Sequence, residues 1–591
     1  MIGPSSWLYQ AALKWPQKEA IFDENIVLSF EALHQDAIRL AKWISLEGEA
    51  GQRVMIAMPS GVASATLYFA TIFAGRVAVP IDPLMRPEQL EWMRREIDPQ
   101  WVFGSSTLTK IWNDPKFLTA DSYEVLSQWM SSSKRSKDLI YPDDDPSRLL
   151  NIVYTSGTTG QPKGVMLNGA NLEAVIRGIL KALAIDEESR IFSPLPFSHT
   201  YGLSQLWLMA KTGATLAVVP DITKMATIKK ILLERHINTL AGVPYHFSLL
   251  TRRGDKERLD SIRLVTIAGE TPSKRLVERV KISYPKARIH IMYGLTEAST
   301  RLTTLPSEDL DRKEGSIGLP IEGVDIKIID ENGEELGPHL EGELIAKGEN
   351  ITPGYWKNEA LTRKTIIDGW LYTGDIVKKD EEDYFYHLGR KDFVFKSGGE
   401  KTVPEVIERV LREIEGVRDA AIFGREDPFI GNRICAVVVK VKGSNLTSGE
   451  ILSICQSRLD RWRVPNEVIF REEIPRSTIG KTQYDVLKKQ ISCYKVRRME
   501  ERVRELILRN FPSIPVHLGN TDLLRENGFT SLMFVELILL LEKEFGIEVL
   551  DEEIGPGRFS TIERITEYVQ CKLEGRPIPP LPVCEEGGSH R

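Results

Sequence analysis

The chain reads as a layered α/β protein followed by a smaller α/β domain and an all-α four-helix bundle, and three observations point that way. Its 591 residues exceed what one hydrophobic core sustains, so three or more domains follow. Up to about residue 390, short β-branched runs alternate with amphipathic helical stretches, which predicts layered α/β structure with largely parallel sheets. Beyond that the texture changes twice, first to a hairpin-like segment feeding a helix and then to helical stretches alone.

In the first part, RVMIAM predicts a strand, ASATLYFATIFAG a helix and RVAVPI a second strand. The order returns in INTLAGVP, YHFSLLTRR, RLVTIAGE and TPSKRLVERVKISYP, read as strand, helix, strand and helix. No period of about 20 to 50 residues recurs, which argues against a solenoid. Around Gly389, DYFYHLGRKDFVFKSGGEKTVPEVIERVLREI opens the second part. Pro404 suits the first turn of its helix, where a missing N–H leaves no bond unmade. AAIFGRE and ICAVVVKVKG then read as strands, and SGEILSICQSRLDRW as a helix.

CYKVRRMEERVRELILRNF reads as a charged connection running into a new helix. Taken as extended chain, the ten or so residues from Gln490 reach at most about 35 Å. The third part comprises RVRELILRN, a long loop, SLMFVELILLLEKEFG and TIERITEYVQCKL. Leu532, Val535, Leu539 and Phe545 fall on or near one face of its middle helix. The divisions expected are a large domain over 1–390, a small mobile domain over 391–490 and the bundle over 498–575. Residues 576–591, rich in proline and glycine, predict a flexible tail.

Hydrophobic residues at 42% and charged residues at 27% are ordinary for a soluble chain, and a net charge of -6 argues against general nucleic-acid binding. Five scattered cysteines without a CxxC pair indicate neither a zinc site nor a disulfide framework. The amino terminus lacks the basic and apolar pattern of a secretion signal, and Arg76 interrupts the longest candidate membrane span. A cytoplasmic protein without a membrane span is expected.

The stretches that carry chemistry begin with LLNIVYTSGTTGQPKGVML, where an apolar strand runs into Thr155, Ser156, Gly157, Thr158, Thr159 and Gly160, then Lys163. Glycines let backbone approach a phosphate, hydroxyls and amides donate to its oxygens, and lysine offsets its charge. No GKS or GKT triplet stands at the offset of a Walker A loop. Alone, such a run also suits a surface turn.

The stretch closely resembles the phosphate loop of adenylate-forming enzymes, the superfamily of acyl-CoA synthetases, peptide-synthetase adenylation domains and luciferases. Further motifs of that superfamily follow in its order. MYGLTEAS puts Tyr293, Gly294, Thr296 and Glu297 where the resemblance implies adenine stacking, phosphate binding and Mg2+ binding. WLYTGD supplies Asp375, the implied ribose-hydroxyl acceptor, and GRKDF supplies Arg390, implied to reach the ribose as well. Asp392 falls at the implied hinge between large and small domains, and PRSTIGK supplies Lys481, the implied mobile lysine that bridges carboxylate and nucleotide. Alone, Glu297 or Asp375 would read as a solvated or capping carboxylate and Lys481 as an exposed loop lysine. Five motifs in order over about 330 residues are not explained that way.

A carboxylate attacking the α-phosphate of ATP brings anions together, so the site needs Mg2+ and a lysine to offset their repulsion. The acid is already ionised near neutral pH, so no general base is required. The resemblance makes Lys481, Thr155, Glu297 and His199 the catalytic candidates. His199 ends IFSPLPFSH, which resembles the segment beside the substrate tunnel of acyl and aryl acid ligases. A wall histidine without a gating role is the plainer alternative. Peptide-synthetase domains usually present an aspartate in this neighbourhood to hold an ammonium group; Ser198 and His199 favour a fatty, hydroxy or aryl acid instead. AGE, with Gly269 and Glu270, resembles the segment lining adenine and the acid pocket.

The last part resembles an acyl or peptidyl carrier domain, with Ser531 of ENGFTSLMFVEL at the position that receives 4'-phosphopantetheine. A helix start suits a phosphodiester, which would face free amides and the positive dipole end. Carriers usually place an aspartate just before this serine. Here Thr530 can cap the helix but brings no charge for a phosphopantetheinyl transferase to recognise.

The implied activity is ATP- and Mg2+-dependent activation of a small carboxylic acid, with transfer to the 4'-phosphopantetheine arm on the chain's own Ser531. A phosphopantetheinyl transferase and a downstream synthase or condensing enzyme are the implied partners. Two alternatives stay open: an acyl-CoA synthetase with a docking or regulatory helical module, and a non-catalytic carrier scaffold. Intact Lys163, Glu297, Asp375 and Lys481 weigh against the second.

Overall fold

The structure is a computed structural model that describes the chain except residues 1–2, 47, 106–107, 109–111, 113–116, 121, 133–144, 156–161, 220, 253–257, 398–399, 428–430, 477–481, 513, 516–517, 555–556 and 579–591; the side chains of 130–132, 485, 492–498, 531–532, 551 and 574 are also outside the description. The chain forms two compact units, Met1–Phe393 and Val394–Arg591.

The first unit is built on the strand and helix alternation of its sequence. A six-stranded sheet runs Phe117–Thr119, Trp101–Gly104, Arg53–Ala57, Val77–Pro80, Leu149–Thr155 and Lys163–Asn168. Its strands are parallel except for the last, which pairs antiparallel with Leu149–Thr155. A nine-stranded sheet runs Leu319–Pro320, Thr303–Leu305, Arg288–Tyr293, Leu264–Ile267, Thr239–Gly242, Arg190–Ser193, Thr215–Val218, Glu19–Phe22 and Val27–Ser29. It is parallel through its middle and antiparallel at both edges. The helix Val62–Phe73 is buried nearly all round and joins the core to which both sheets contribute, as its continuous apolar content requires.

A third sheet is antiparallel, which differs from the largely parallel expectation. Gly342–Gly348 and Trp370–Lys379 lie at its middle, flanked by Val324–Ile329, Ile366–Ile367 and Phe385–Arg390. The turns at 368–369 and 380–384 are too short for a parallel crossover, so the strands they join run antiparallel.

In the second unit the hairpin Phe395–Ser397 with Glu400–Thr402 leads into a helix that starts at Pro404. Val417–Asp427 and Gly431–Lys440 pair antiparallel, Glu467–Arg471 adds a parallel strand, and Thr447 caps the helix Ser448–Arg458 through its side chain. Cys435, Cys455 and Cys571 are buried and outside any disulfide.

The charged connection is itself helical. One helix runs without interruption from Tyr484 to Asn510, because this stretch holds no glycine or proline and its charged residues are good helix formers. It ends just before Phe511-Pro512, where a residue preceding proline disfavours helix. The bundle comprises the end of this helix, Ser531–Phe545, Ile562–Glu574 and the short turn Asp551–Glu553. Leu537, Ile538, Leu541 and Phe545 face its core. Val535 and Leu539 do not: they are 58% and 61% exposed. SLMFVELILLL is apolar on every side, so periodicity alone permits more than one buried stripe. Among the described residues, no helix is long and apolar enough to cross a membrane.

Candidate active site

Three motifs of the first unit meet at the carboxyl end of the strand Arg288–Tyr293, where ligands of open α/β sheets usually bind. Tyr293 ends that strand, and its hydroxyl donates to Asp375 Oδ2 at 2.5 Å. Asp375 Oδ1 accepts from Arg390 Nη1 at 3.2 Å and lies 3.3 Å from His387 Nε2. Strand pairing sets Asp375 opposite Arg390, so the carboxylate and guanidinium meet by register. Burial by itself raises the Asp375 carboxyl, but His387, Arg390 and the Tyr293 hydroxyl outweigh it and hold the group at about 2. Burial and the Asp375 charge push Tyr293 far above the ordinary phenol range. A buried, ionised carboxylate is a strong acceptor for a hydroxyl group. His387, whose ring lies 5.7 Å from that of Tyr293, was not singled out from sequence. Its position on the strand paired with that of Asp375 was the available signal.

The backbone after Tyr293 is held tightly. A Cβ on Gly294 would stand 2.0 Å from the Thr300 carbonyl oxygen, so no other residue fits there. Thr296 and Glu297 lie in the turn Thr296–Ala298. Glu297 Oε1 accepts from the Tyr355 hydroxyl at 2.8 Å, and the Glu297 carbonyl from Thr352 N at 2.8 Å. Burial and then Glu297 raise the Tyr355 phenol, while the charge of Arg390 lowers it, which links the two clusters electrostatically.

Tyr355 also reaches the glycine-rich hairpin. It bridges Val165, and Trp356 N donates to the Gly164 carbonyl at 2.7 Å. Thr155 and Lys163 are paired where that hairpin meets its connecting loop; Ser156, Gly157, Thr158, Thr159 and Gly160 lie outside the described residues. The sequence therefore distributes over distant segments a set of groups that the fold gathers: Lys163, Glu297, Tyr293, Asp375 and Arg390.

His199 precedes the helix Thr200–Thr212, half-buried, with its carbonyl accepting from Leu203 N at 3.0 Å. Beside it, Ser198 Oγ is buried with no hydrogen-bond partner among the described residues, and Ser198 lines a small cavity with Ile56, Met58, Tyr68, Phe197 and Leu203. Gly269 holds a left-handed φ of +94° and Glu270 is exposed. Asp392 lies 3.5 Å from Arg390 Nη2, in the turn Lys391–Phe393 that ends the first unit.

In the second unit Lys481 lies outside the described residues, but the chain on both sides of 477–481 is anchored. Arg476 Nη2 donates to Asp419 at 2.7 and 2.9 Å, Arg476 bridges Thr482, and Gln483 N donates to the Pro475 carbonyl at 2.8 Å. The Tyr484 hydroxyl donates to buried Glu408 at 2.7 Å, which also accepts from Arg412 and Ile422 N. In the bundle, Ser531 is the first residue of its helix, and Thr530 Oγ1 caps it by accepting from Met533 N at 3.3 Å. Phe529 packs against Phe534, ring centroids 5.0 Å apart, a hydrophobic staple that sets how the chain enters the helix.

Three family models match in sequence order: the AMP-binding enzyme over residues 8–356, the AMP-binding enzyme C-terminal domain over 406–481 and the phosphopantetheine attachment site over 501–569. A 2-succinylbenzoate–CoA ligase of Bacillus cereus is 31% identical over 479 residues, covering 80% of this chain and 96% of that protein. The ATP-bound MatB of Rhodopseudomonas palustris superposes with a TM-score of 0.75 at 26% identity, over 83% of this chain and 99% of that one. O-succinylbenzoate CoA synthetase of Bacillus subtilis, solved with its acyl-adenylate intermediate, superposes with a TM-score of 0.74 at 24% identity over 82% of this chain and 98% of that one, a likeness of fold. With the gathered motifs and these matches, the chain belongs to the AMP-binding enzyme family, as an adenylate-forming acid–thiol ligase that ends in a phosphopantetheine-attachment domain.

Proposed function

We propose that the protein activates a fatty, hydroxy or aryl acid with ATP and loads it onto itself. The acid's carboxylate oxygen attacks the α-phosphorus of ATP, the bond to pyrophosphate breaks, and an acyl adenylate forms. Ser531 would carry 4'-phosphopantetheine, whose thiol would supply the acceptor for the acyl group, with AMP as the leaving group and the thiol proton released to solvent.

Tyr293, Gly269 and Glu270 would hold the adenine side, Asp375 and Arg390 the ribose, and Thr155 to Gly160, Lys163, Gly294 and Thr296 the phosphates. The fit is supported by the ionised, buried Asp375 and by Gly294, where any side chain would strike backbone. Glu297 offers one carboxylate, the donor set that suits Mg2+ when phosphates supply the other oxygens. Bound there, Mg2+ would neutralise charge on the phosphates. His199 would stand at the acid, and Lys481 would orient its carboxylate and stabilise the phosphorus centre. Asp392 is the proposed hinge between the two half-reactions.

The observation that carries self-loading is a phosphopantetheine-attachment match on the chain that also holds the nucleotide-site cluster. Loading within one molecule benefits from high effective concentration. A second destination, free coenzyme A, is favoured by the relatives named as CoA ligases. A phosphopantetheinyl transferase would supply the arm, and a downstream synthase or condensing enzyme would take the acyl group.

The test is intact-protein mass after incubation with the transferase, ATP, Mg2+ and a panel of acids, for wild type and Ser531→Ala. Self-loading gives an arm and then an acyl increment in wild type, and neither in the variant, which still performs acid-dependent pyrophosphate exchange. Acylation of free coenzyme A with no increment on the protein sinks it.

A further inference from the structure

Among the described residues, Arg301 is a buried cation without a counter-ion. It is 2% exposed, its Nη1 reaches only Thr304 Oγ1 at 3.5 Å, and its buried Nε has no hydrogen-bond partner. Among the described residues no carboxylate lies within ion-pairing distance of it. Burial lowers its guanidinium to about 10, with only the Tyr201 phenol acting the other way. An unpaired charge in such surroundings is strongly disfavoured, and arginine's planar fork matches a carboxylate.

Its location says which anion. The backbone is fixed against the YGLTE stretch: Leu302 N donates to the Tyr293 carbonyl at 2.9 Å and Asn350 Nδ2 to the Arg301 carbonyl at 2.9 Å. A Cβ on Gly294 would lie 2.7 Å from Arg301 Cα. Tyr201, on the helix that His199 precedes, bonds Thr266 Oγ1 at 2.9 Å, and Thr266 lies just before the AGE segment. Arg301 thus shares its surroundings with the two segments proposed to line the acid pocket, and it borders the nucleotide cluster. His290, also buried nearby, is held neutral by burial first, with Arg288 and Arg301 adding to the effect, down to about 4. It therefore brings no competing positive charge at neutral pH.

We propose that Arg301 binds a second carboxylate on the substrate, so that the acid is a dicarboxylic acid of which one end is activated and the other is held. The assignment rests on the acid-activating function proposed above. The reacting carboxylate goes to ATP, and the second stays ionised against Arg301, with Tyr201, Thr266 and Thr304 hydroxyls around it.

The test is acid-dependent pyrophosphate exchange by the full chain. Succinic through sebacic acid and phthalic and homophthalic acid are each compared with the monomethyl ester. At least one diacid should exceed its ester roughly 10²-fold in kcat/KM, since a site built for a charged group rejects the analogue lacking it. Arg301→Met should collapse that ratio to within a few fold, and Arg301→Lys should keep part of it. The wild-type ratio needs no variant to fold. Monocarboxylic acids or esters turned over as well as every diacid overturn the assignment and leave acid activation standing; no exchange with any acid overturns both.

Discussion

The Tyr293 hydroxyl and the Asp375 carboxylate form one unit, 2.5 Å apart. The candidate adenine and ribose contacts are thereby coupled before any nucleotide arrives. Asp375→Asn should raise the KM for ATP at least tenfold in pyrophosphate exchange, with little change in the KM for the acid. Tyr293→Phe keeps the ring and the carboxylate and removes one hydrogen bond, so it should raise the KM for ATP less than Asp375→Asn does. Equal effects on both KM values would separate Asp375 from the nucleotide.

The same carboxylate makes stability pH-dependent. Its folded value of about 2 lies below the ordinary 3.8, so its contribution is complete above about pH 4 and disappears as pH falls towards 2. The sum is on the order of 2 kcal/mol. Unfolding midpoints of wild type and Asp375→Asn, measured from pH 6 down, should converge across that window.

Arg476, Asp419, Tyr484 and Glu408 hold the chain on either side of Lys481. Lys481→Ala should lower adenylation roughly 10²- to 10³-fold. Arg476→Met should lower kcat about tenfold with little change in the KM for ATP, as expected of a positioning residue. An unchanged kcat would leave the Arg476–Asp419 pair a purely structural contact.

On the bundle helix, Leu537 is fully buried while Leu539 is 61% exposed. Leu537→Ala should destabilise the bundle by about 2–5 kcal/mol, and Leu539→Ala by less than about 0.5 kcal/mol. Thermal melts of the two variants distinguish them.

Thr530 already caps that helix. Thr530→Asp keeps the capping oxygen and adds the negative charge that carriers usually present, so the bundle should melt within a few degrees of wild type while the transferase modifies Ser531 several-fold faster. Thr530→Ala should cost about 0.5–2 kcal/mol. Mass spectrometry over time reads the modification rate.

Much of this was legible in the chain because the relevant signals are local. Pro404 opens its helix and Thr530 caps its own, since both act within one turn of backbone. Tyr293 and Asp375 were picked out by motif, but their contact depends on sheets that bring residues 82 positions apart together. His387, Tyr355 and Arg301 sit in no motif that names them; each matters for what it touches or fails to touch in the fold. The bundle stripe through Val535 and Leu539 was misplaced because a helix apolar all round gives periodicity nothing to choose between.

The unbroken helix Tyr484–Asn510 gives the connection an angular register as well as a length. A flexible tether can gain a residue with no change of direction. Each residue added to a helix turns everything beyond it by about 100° and advances it by about 1.5 Å. The heading of the chain leading to Ser531 is thereby set by the number of residues in this helix. Insertions of one or two residues between Gln490 and Met499 would then impair loading more than insertions of seven, which restore the heading within about 20°.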